Sequence, residues 1–83
     1  MTVNITLYTK EKCGLCTEAK ELLEEIKKEY NIQITEIDIY SNDELLEEYQ
    51  LMIPVIDVEG ERIGFGKISK LDIISAINGH LNY

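Results

Sequence analysis

Residues 7–16 read Leu-Tyr-Thr-Lys-Glu-Lys-Cys-Gly-Leu-Cys, and this stretch decides the fold. Before it, apolar and polar residues alternate from Val3 to Leu7, which predicts a β-strand. After it, apolar residues recur at spacings of three and four, which predicts an amphipathic helix. The core-facing stripe of this helix is expected to comprise Cys16, Ala19, Leu22, Leu23, Ile26 and Tyr30. Both cysteines therefore fall where a strand ends and a helix begins.

The middle of the chain predicts a second strand and a second helix. The first helix is expected to stop near Asn31, and a strand is expected around 33–40. The apolar alternation of this strand slips by one residue between Ile34 and Ile37. Residues 41–44, Ser-Asn-Asp-Glu, match a capping box and predict that a short helix follows Ser41.

The last third predicts a hairpin and a final helix. Residues 55–58 and 61–65 read as two strands joined by a Glu-Gly turn at 59–60. A capping pattern at 69–72 opens the last helix, and Asn78-Gly79 is expected to stop it. Its core-facing residues are expected to be Leu71, Ile74 and Ile77.

The order β-α-β-α-β-β-α predicts an α/β fold in one domain spanning residues 1–83. A β-α-β unit forms a right-handed parallel crossover, and the hairpin is expected to extend the same sheet. The expected architecture is a four-stranded mixed sheet flanked by three helices. The polar residues of the first strand suggest that one face of the sheet is thinly covered.

Charge and length exclude several classes of function. Sixteen acidic against eight basic residues give a net charge of −8, which disfavours nucleic acid and anionic membrane as partners. No apolar run approaches the roughly 18 to 20 residues that span a bilayer. The first residues alternate apolar with polar and carry no basic segment, unlike a secretory signal. We therefore expect a cytoplasmic monomer.

The two cysteines, Cys13 and Cys16, form one Cys-Gly-Leu-Cys unit. So short a loop contributes little as a structural staple. The helix N-terminus, with Lys10 and Lys12 nearby, favours the thiolate form of Cys13, whereas Cys16 lies on the apolar stripe. Cys13 is thus the expected attacking thiol and Cys16 the resolving thiol. Two buried core cysteines or half of a zinc site are the alternatives, although zinc needs four ligands and His80 is the single histidine.

Residues 7–16 resemble the active-site stretch of glutaredoxins and of small glutaredoxin-like proteins. Residues 52–55, Met-Ile-Pro-Val, resemble the loop that carries a cis-proline in the thioredoxin superfamily. The resemblance implies a thioredoxin fold and thiol–disulfide oxidoreductase activity with Cys13 and Cys16 as catalytic residues. Besides these, it implies substrate-binding positions at Lys10, Leu15, Ile53, Pro54 and Gly66. We also expect the Ile53 backbone to be unpaired, so that an extended substrate can hydrogen-bond there.

The sequence also departs from the glutathione-dependent members of that family. Gly14 and Leu15 stand where those proteins typically carry proline and an aromatic residue. The glycines at 64 and 66 are separated, and no acid follows them until Asp72. Lys10 does match the lysine that the family places near a glutathione carboxylate. We therefore expect no cofactor and leave glutathione open as a co-substrate; an iron–sulfur or metal-carrier module using the same cysteines is the alternative.

Four lysines are expected to border the cysteine pair and form a local positive rim. These are Lys10, Lys12, Lys67 and Lys70. Such a rim favours small anionic thiols or acidic protein partners. The expected partners are a disulfide-containing protein or a small thiol, together with a cellular thiol reductant.

Overall fold

A mixed four-stranded sheet organises the chain in the computed structural model, which describes residues 2–81. The elements follow the predicted order: β1 (Val3–Thr9), α1 (Gly14–Lys27), β2 (Ile32–Asp38), α2 (Asp43–Tyr49), β3 (Val55–Val58), β4 (Glu61–Phe65) and α3 (Lys70–Leu81). The strand order across the sheet is β2-β1-β3-β4. β1 pairs parallel with β2 and antiparallel with β3, and β4 pairs antiparallel with β3. The predicted thioredoxin-like architecture is confirmed.

The main core lies between one face of the sheet and the two long helices. Alternate residues of β1 point into this core. They are Val3, Ile5 and Leu7, and all three are almost inaccessible to solvent. They meet the apolar stripes of α1 and α3. The buried members of this core include Val3, Ile5, Leu7, Ala19, Leu23, Ile26, Ile56, Ile73 and Ile77. This packing fixes the start of α1 against the end of β1.

The opposite face of the sheet carries a smaller core beneath α2. Among residues 2–81, its buried members are Ile39, Tyr49 and Val55, with Tyr8 packed alongside. Asn4, on the same face of β1 as Tyr8, is exposed. The thin cover that the polar residues of β1 suggested is therefore present.

Two boundaries near the middle of the chain differ from the sequence prediction. β2 ends at Asp38 rather than Tyr40, because the Asp38 side chain accepts the Tyr40 N–H at 2.9 Å and starts a 3₁₀ turn. The N-cap of α2 is Asn42, not Ser41. The Asn42 side chain accepts the N–H groups of Glu44 and Leu45, which leaves the Ser41 hydroxyl to donate to the Asp38 carbonyl.

The ends of α1 and α3 also differ from the prediction. α1 ends at Lys27, before the expected stop near Asn31. α3 continues through Asn78 and Gly79, because Gly79 keeps a negative φ instead of the left-handed conformation of a helix stop. Half-buried His80 lies in the last turn of α3 rather than after it.

The core-facing side of α3 is rotated from the predicted one. Leu71 is 76% exposed, and Ile73 takes its place in the core with Ile77. Ile74 packs at the edge of the same core. The sequence pattern is ambiguous here, because isoleucines at consecutive positions 73 and 74 allow two stripes.

The Asn42 cap supplies a direct test of the corrected start of α2. Asn42→Ala removes the acceptor for two N–H groups and is expected to lower the free energy of unfolding by about 1 kcal/mol in urea denaturation. Asn42→Ser keeps a capping oxygen and is expected to stay near wild type. Equal losses in both variants would show that the cap does not depend on the side-chain oxygen.

A polar cluster lies on the α2 face, next to the smaller core. The Arg62 guanidinium lies 4.8 Å from the centre of the Tyr49 ring and donates to the Tyr49 hydroxyl. Tyr8 packs against Tyr49, with ring centres 4.8 Å apart. Asp57 lies 3.8 Å from Arg62 Nε, and its Oδ1 accepts no hydrogen bond from the described part of the chain. Burial raises the pKa of Asp57, and Arg62 opposes this only partly.

The raised pKa of Asp57 therefore predicts that the free energy of unfolding changes with pH. A carboxyl whose pKa is raised on folding stabilises most below the pKa of the unfolded chain, and this contribution is lost as pH rises through the folded pKa. Asp57→Asn cannot titrate, so the variant is expected to gain stability relative to wild type between about pH 3 and neutrality. Denaturation curves at several pH values measure this difference. A difference that does not change with pH would contradict the burial effect.

Candidate redox site

Cys13 and Cys16 are joined in a disulfide at the junction of β1 and α1. Their Cα atoms are 5.2 Å apart. Cys13 is the N-cap of α1, one residue before its first helical residue. The Cys16 N–H donates to Cys13 Sγ at 3.2 Å, and the Thr17 N–H donates to the Cys13 carbonyl at 3.1 Å. The Cys13 sulfur thus occupies the position where a helix N-terminus stabilises negative charge.

Burial separates the two sulfur-bearing residues. Cys16 is 3% exposed and lies on the same buried side of α1 as Ala19. Cys13 is half-buried. The more buried position of Cys16, predicted from the helical stripe, is confirmed, and Cys13 is the residue that a large reactant can approach.

The loop before β3 joins the end of β4 next to this site. The Ile53–Pro54 peptide bond is cis, as the resemblance implied. The Gly66 N–H donates to the Met52 carbonyl at 3.1 Å and to the Pro54 carbonyl at 2.8 Å. The Ile53 N–H donates to the Tyr49 carbonyl at 3.2 Å. The expectation of an unpaired Ile53 backbone is therefore wrong for its N–H, which the last turn of α2 already engages.

An apolar groove runs between α1 and the segment that joins β4 to α3, and it begins at Leu15, two residues after Cys13. Leu15, 41% exposed, and Gly66 both line it. The remaining lining residues are Glu18, Ala19, Leu22, Lys67 and Ile68. Gly66 adopts φ 71°, a left-handed conformation that disfavours any side chain. The structure therefore brings together two of the predicted substrate-binding residues, Leu15 and Gly66.

Lys10 lies elsewhere, in a polar cavity between the β1–α1 loop and β2. This cavity is also lined by Lys12, Cys16 and Asp38. Lys10 does not line the groove formed by Leu15 and Gly66. Lys10 is thus separated from Leu15 and Gly66, whereas Ile53 and Pro54 line neither surface, and the Pro54 side chain is fully buried.

The predicted positive rim is incomplete. Lys70 forms a salt bridge with Glu25, near the far end of α1, with Nζ 2.9 Å from Oε1. The hydrogen bond raises the pKa of Lys70 and lowers that of Glu25. The inclusion of Lys70 in the rim is therefore wrong, because this pair holds it near the far end of the helix.

Sequence reasoning missed two charged residues near Cys16. Lys20 and Glu36 form an ion pair, with Nζ 3.2 Å from Oε2, and both line the cavity that includes Cys16. The i, i+4 spacing from Cys16 to Lys20 could have indicated the first. Glu36 comes from β2, and only the parallel register with β1 brings it there.

Within residues 2–81, no group of three or more His, Cys, Asp or Glu side chains could hold a metal ion. The carrier alternative that uses Cys13 with thiols from outside the chain remains a prediction. Absorbance of protein purified without oxygen would test it. Across the same residues, no helix is long and apolar enough to cross a membrane.

The chain is similar to known proteins over almost its whole length. A family model described as Glutaredoxin-like domain matches residues 4–78. A probable thioredoxin from Methanothermobacter thermautotrophicus is 36% identical, over 98% of this chain and 99% of that protein. A probable thioredoxin from Methanothermobacter marburgensis is 31% identical over the same shares.

Solved structures agree on the fold. A singly substituted thioredoxin from Halobacterium salinarum superposes with a TM-score of 0.74 at 17% identity, covering 98% of this chain and 76% of that one. A protein from Nitrosomonas europaea gives a TM-score of 0.79 at 22% identity, covering 90% and 91%. Such a fold with a Cys-x-x-Cys pair at disulfide distance supports thiol–disulfide redox chemistry at this site. By its match over residues 4–78 and its full-length relatives, the chain belongs to the glutaredoxin-like domain family of the thioredoxin fold.

Proposed function

We propose that this protein is a thiol–disulfide oxidoreductase in which Cys13 attacks substrate and Cys16 resolves the intermediate. The observation that carries the proposal is the hydrogen bond from the Cys16 N–H to Cys13 Sγ, on a residue that caps the helix. The same donor favours a thiolate at Cys13 after reduction. Because Cys16 is 3% exposed, external substrates do not reach its thiol, which can attack only the neighbouring Cys13 sulfur.

The proposed reaction has two exchange steps. The Cys13 thiolate attacks one sulfur of a substrate disulfide, forms a mixed disulfide and releases the other substrate sulfur as a thiolate. The Cys16 thiolate then attacks the Cys13 sulfur and releases the second substrate thiolate, leaving the Cys13–Cys16 disulfide. A cellular thiol reductant returns two electrons and restores both thiols.

We infer that protein disulfides are better substrates than glutathione. The groove that begins two residues after Cys13 is lined largely by apolar side chains, including Leu15 and Ile68, which suits an apolar residue next to a substrate cysteine. Lys10, the candidate partner for a glutathione carboxylate, lines a different cavity. The departures at Gly14 and Leu15 support the same preference.

The two thiols are expected to differ in reactivity. In reduced protein at neutral pH, a limiting amount of iodoacetamide is expected to modify Cys13 well before Cys16, because Cys13 combines access with helix-end electrostatics. Peptide mapping identifies the labelled residue. Preferential labelling of Cys16 would reverse the assigned roles.

Single cysteine variants separate attack from resolution. Cys13→Ser is expected to abolish exchange, because Cys16 is buried. Cys16→Ser is expected to accumulate a mixed disulfide through Cys13, which mass spectrometry of the intact protein detects. A Cys13→Ser protein that retained exchange would contradict the proposal.

Glutathione-coupled turnover is expected to be weak. Lys10→Glu is expected to reduce it further, because a negative charge in the loop before Cys13 repels the anionic tripeptide, whereas reduction of a protein disulfide is expected to change less. Lys27→Glu, on the last turn of α1, is the matched charge control. Strong glutathione turnover that is indifferent to Lys10 would show that this substrate assignment is wrong.

A further inference from the structure

A polar cavity of about 290 Å³ lies beside the buried thiol position. Cys16 lines it, and Cys13 does not. Its charged lining residues come from three elements: Lys10, Glu11 and Lys12 from the β1–α1 loop, Lys20 from α1, and Glu36 and Asp38 from β2. The small accessible part of Cys16 therefore borders a space that charged groups surround.

The phase slip in β2 explains why carboxylates lie here. β2 runs parallel to β1, with Ile34 paired to Ile5 and Glu36 paired to Leu7. Ile5 and Leu7 point into the core beneath α1, so Glu36 lies on the same side. An alternation that stayed in phase would place an apolar residue at 36. The slip instead places a carboxylate opposite the first turns of α1.

Glu36 holds Lys20 near Cys16. Lys20 follows Cys16 by four residues on α1, so the two residues are neighbours along one side of the helix. Lys20 Nζ lies 3.2 Å from Glu36 Oε2. The other β2 carboxylate, Asp38, accepts the Tyr40 N–H and so caps the 3₁₀ turn.

We propose that Lys20 is a positioning residue for the resolving step, where its ammonium group stabilises the thiolate of Cys16. This inference rests on the proposed function. The Cys16 thiol gives its proton to water in the cavity, and its thiolate attacks the Cys13 sulfur. The bond between Cys13 and the substrate sulfur breaks, and the substrate leaves as a thiolate with the electron pair. Glu36 keeps the ammonium group beside the cavity.

The expected effect of Lys20 on the resolving step is small, because the side chains of Lys20 and Glu36 are exposed to water. The side chains of Lys20 and Glu36 are 53% and 40% exposed, so water screens their charges. Loss of the Lys20 charge is therefore expected to slow resolution by about two- to fivefold at neutral pH. The difference is expected to vanish at alkaline pH, where the thiol ionises without help.

The test follows both exchange steps in the full chain with one reagent. Reduced protein is mixed with excess dithiodipyridine, a neutral disulfide whose released thiopyridone absorbs light. The first release reports attack by Cys13, and the second reports resolution by Cys16. Because the reagent is uncharged, substituting a lysine does not change its attraction to the protein.

Lys20→Met is expected to leave the first release unchanged, to slow the second about two- to fivefold at neutral pH and to move its pH midpoint upward. Lys20→Arg is expected to restore the second release. Lys27→Met, with the same charge change on a lysine that does not line the cavity, is expected to match wild type. Glu36→Gln is expected not to slow resolution, because it removes a negative charge and keeps a hydrogen-bond acceptor for Lys20.

Two results would overturn the role of Lys20. These are an unchanged second release in Lys20→Met and an equal loss in Lys20→Arg. Absence of the first release in wild type would instead refute the proposed function. The two failures are therefore distinguishable in one set of traces.

Discussion

The Cys16 N–H donates to the Cys13 sulfur, and the chemistry of the site depends on this contact. It exists because α1 begins at Gly14, directly after Cys13, so that N–H groups without helical partners meet the side-chain sulfur of the N-cap. The position of α1 in turn depends on β1, which pairs on both sides within the sheet. Packing of β1 against Ala19 and Leu23 fixes where the helix starts. A reactive thiol is thus a consequence of where the core allows one helix to begin.

The same core makes the two thiols unequal. Cys16 follows Cys13 by three residues in the sequence. Helical periodicity then places Cys16 on the buried side of α1 with Ala19. Cys13 remains at the N-cap of α1, two residues before Leu15, which lines the groove with Gly66. One accessible sulfur and one enclosed sulfur are what a two-step exchange requires, since the first must meet substrate and the second must wait for the intermediate. In the proposed exchange, the division of roles between the two thiols therefore follows from the helix start and its burial pattern.

Local patterns predicted the elements, whereas long-range pairing decided the details. Alternation in β1 and the helical stripe of α1 were sufficient for the fold and for the burial of Cys16. The N-cap of α2 was misplaced by one residue, because local contacts compete there: the Ser41 hydroxyl donates to the Asp38 carbonyl, and the Asn42 side chain caps the helix instead. The partner of Lys70 was missed, because Glu25 lies on a helix distant in sequence. The pair of Lys70 and Glu25 arises from the tertiary structure, and spacing along the chain does not encode it.

The phase slip in β2 shows how one irregularity can matter to the site. A regular strand beside β1 would cover the first turns of α1 with apolar side chains only. The slip admits Glu36 to that side of the sheet, where it meets Lys20. An ion pair whose side chains are 53% and 40% exposed adds little to stability, because water screens it, so stability alone gives a weak reason for it. Its placement in the cavity that Cys16 lines supports the proposed role of Lys20, because burial disfavours the thiolate of Cys16 and a nearby positive charge offsets part of that cost.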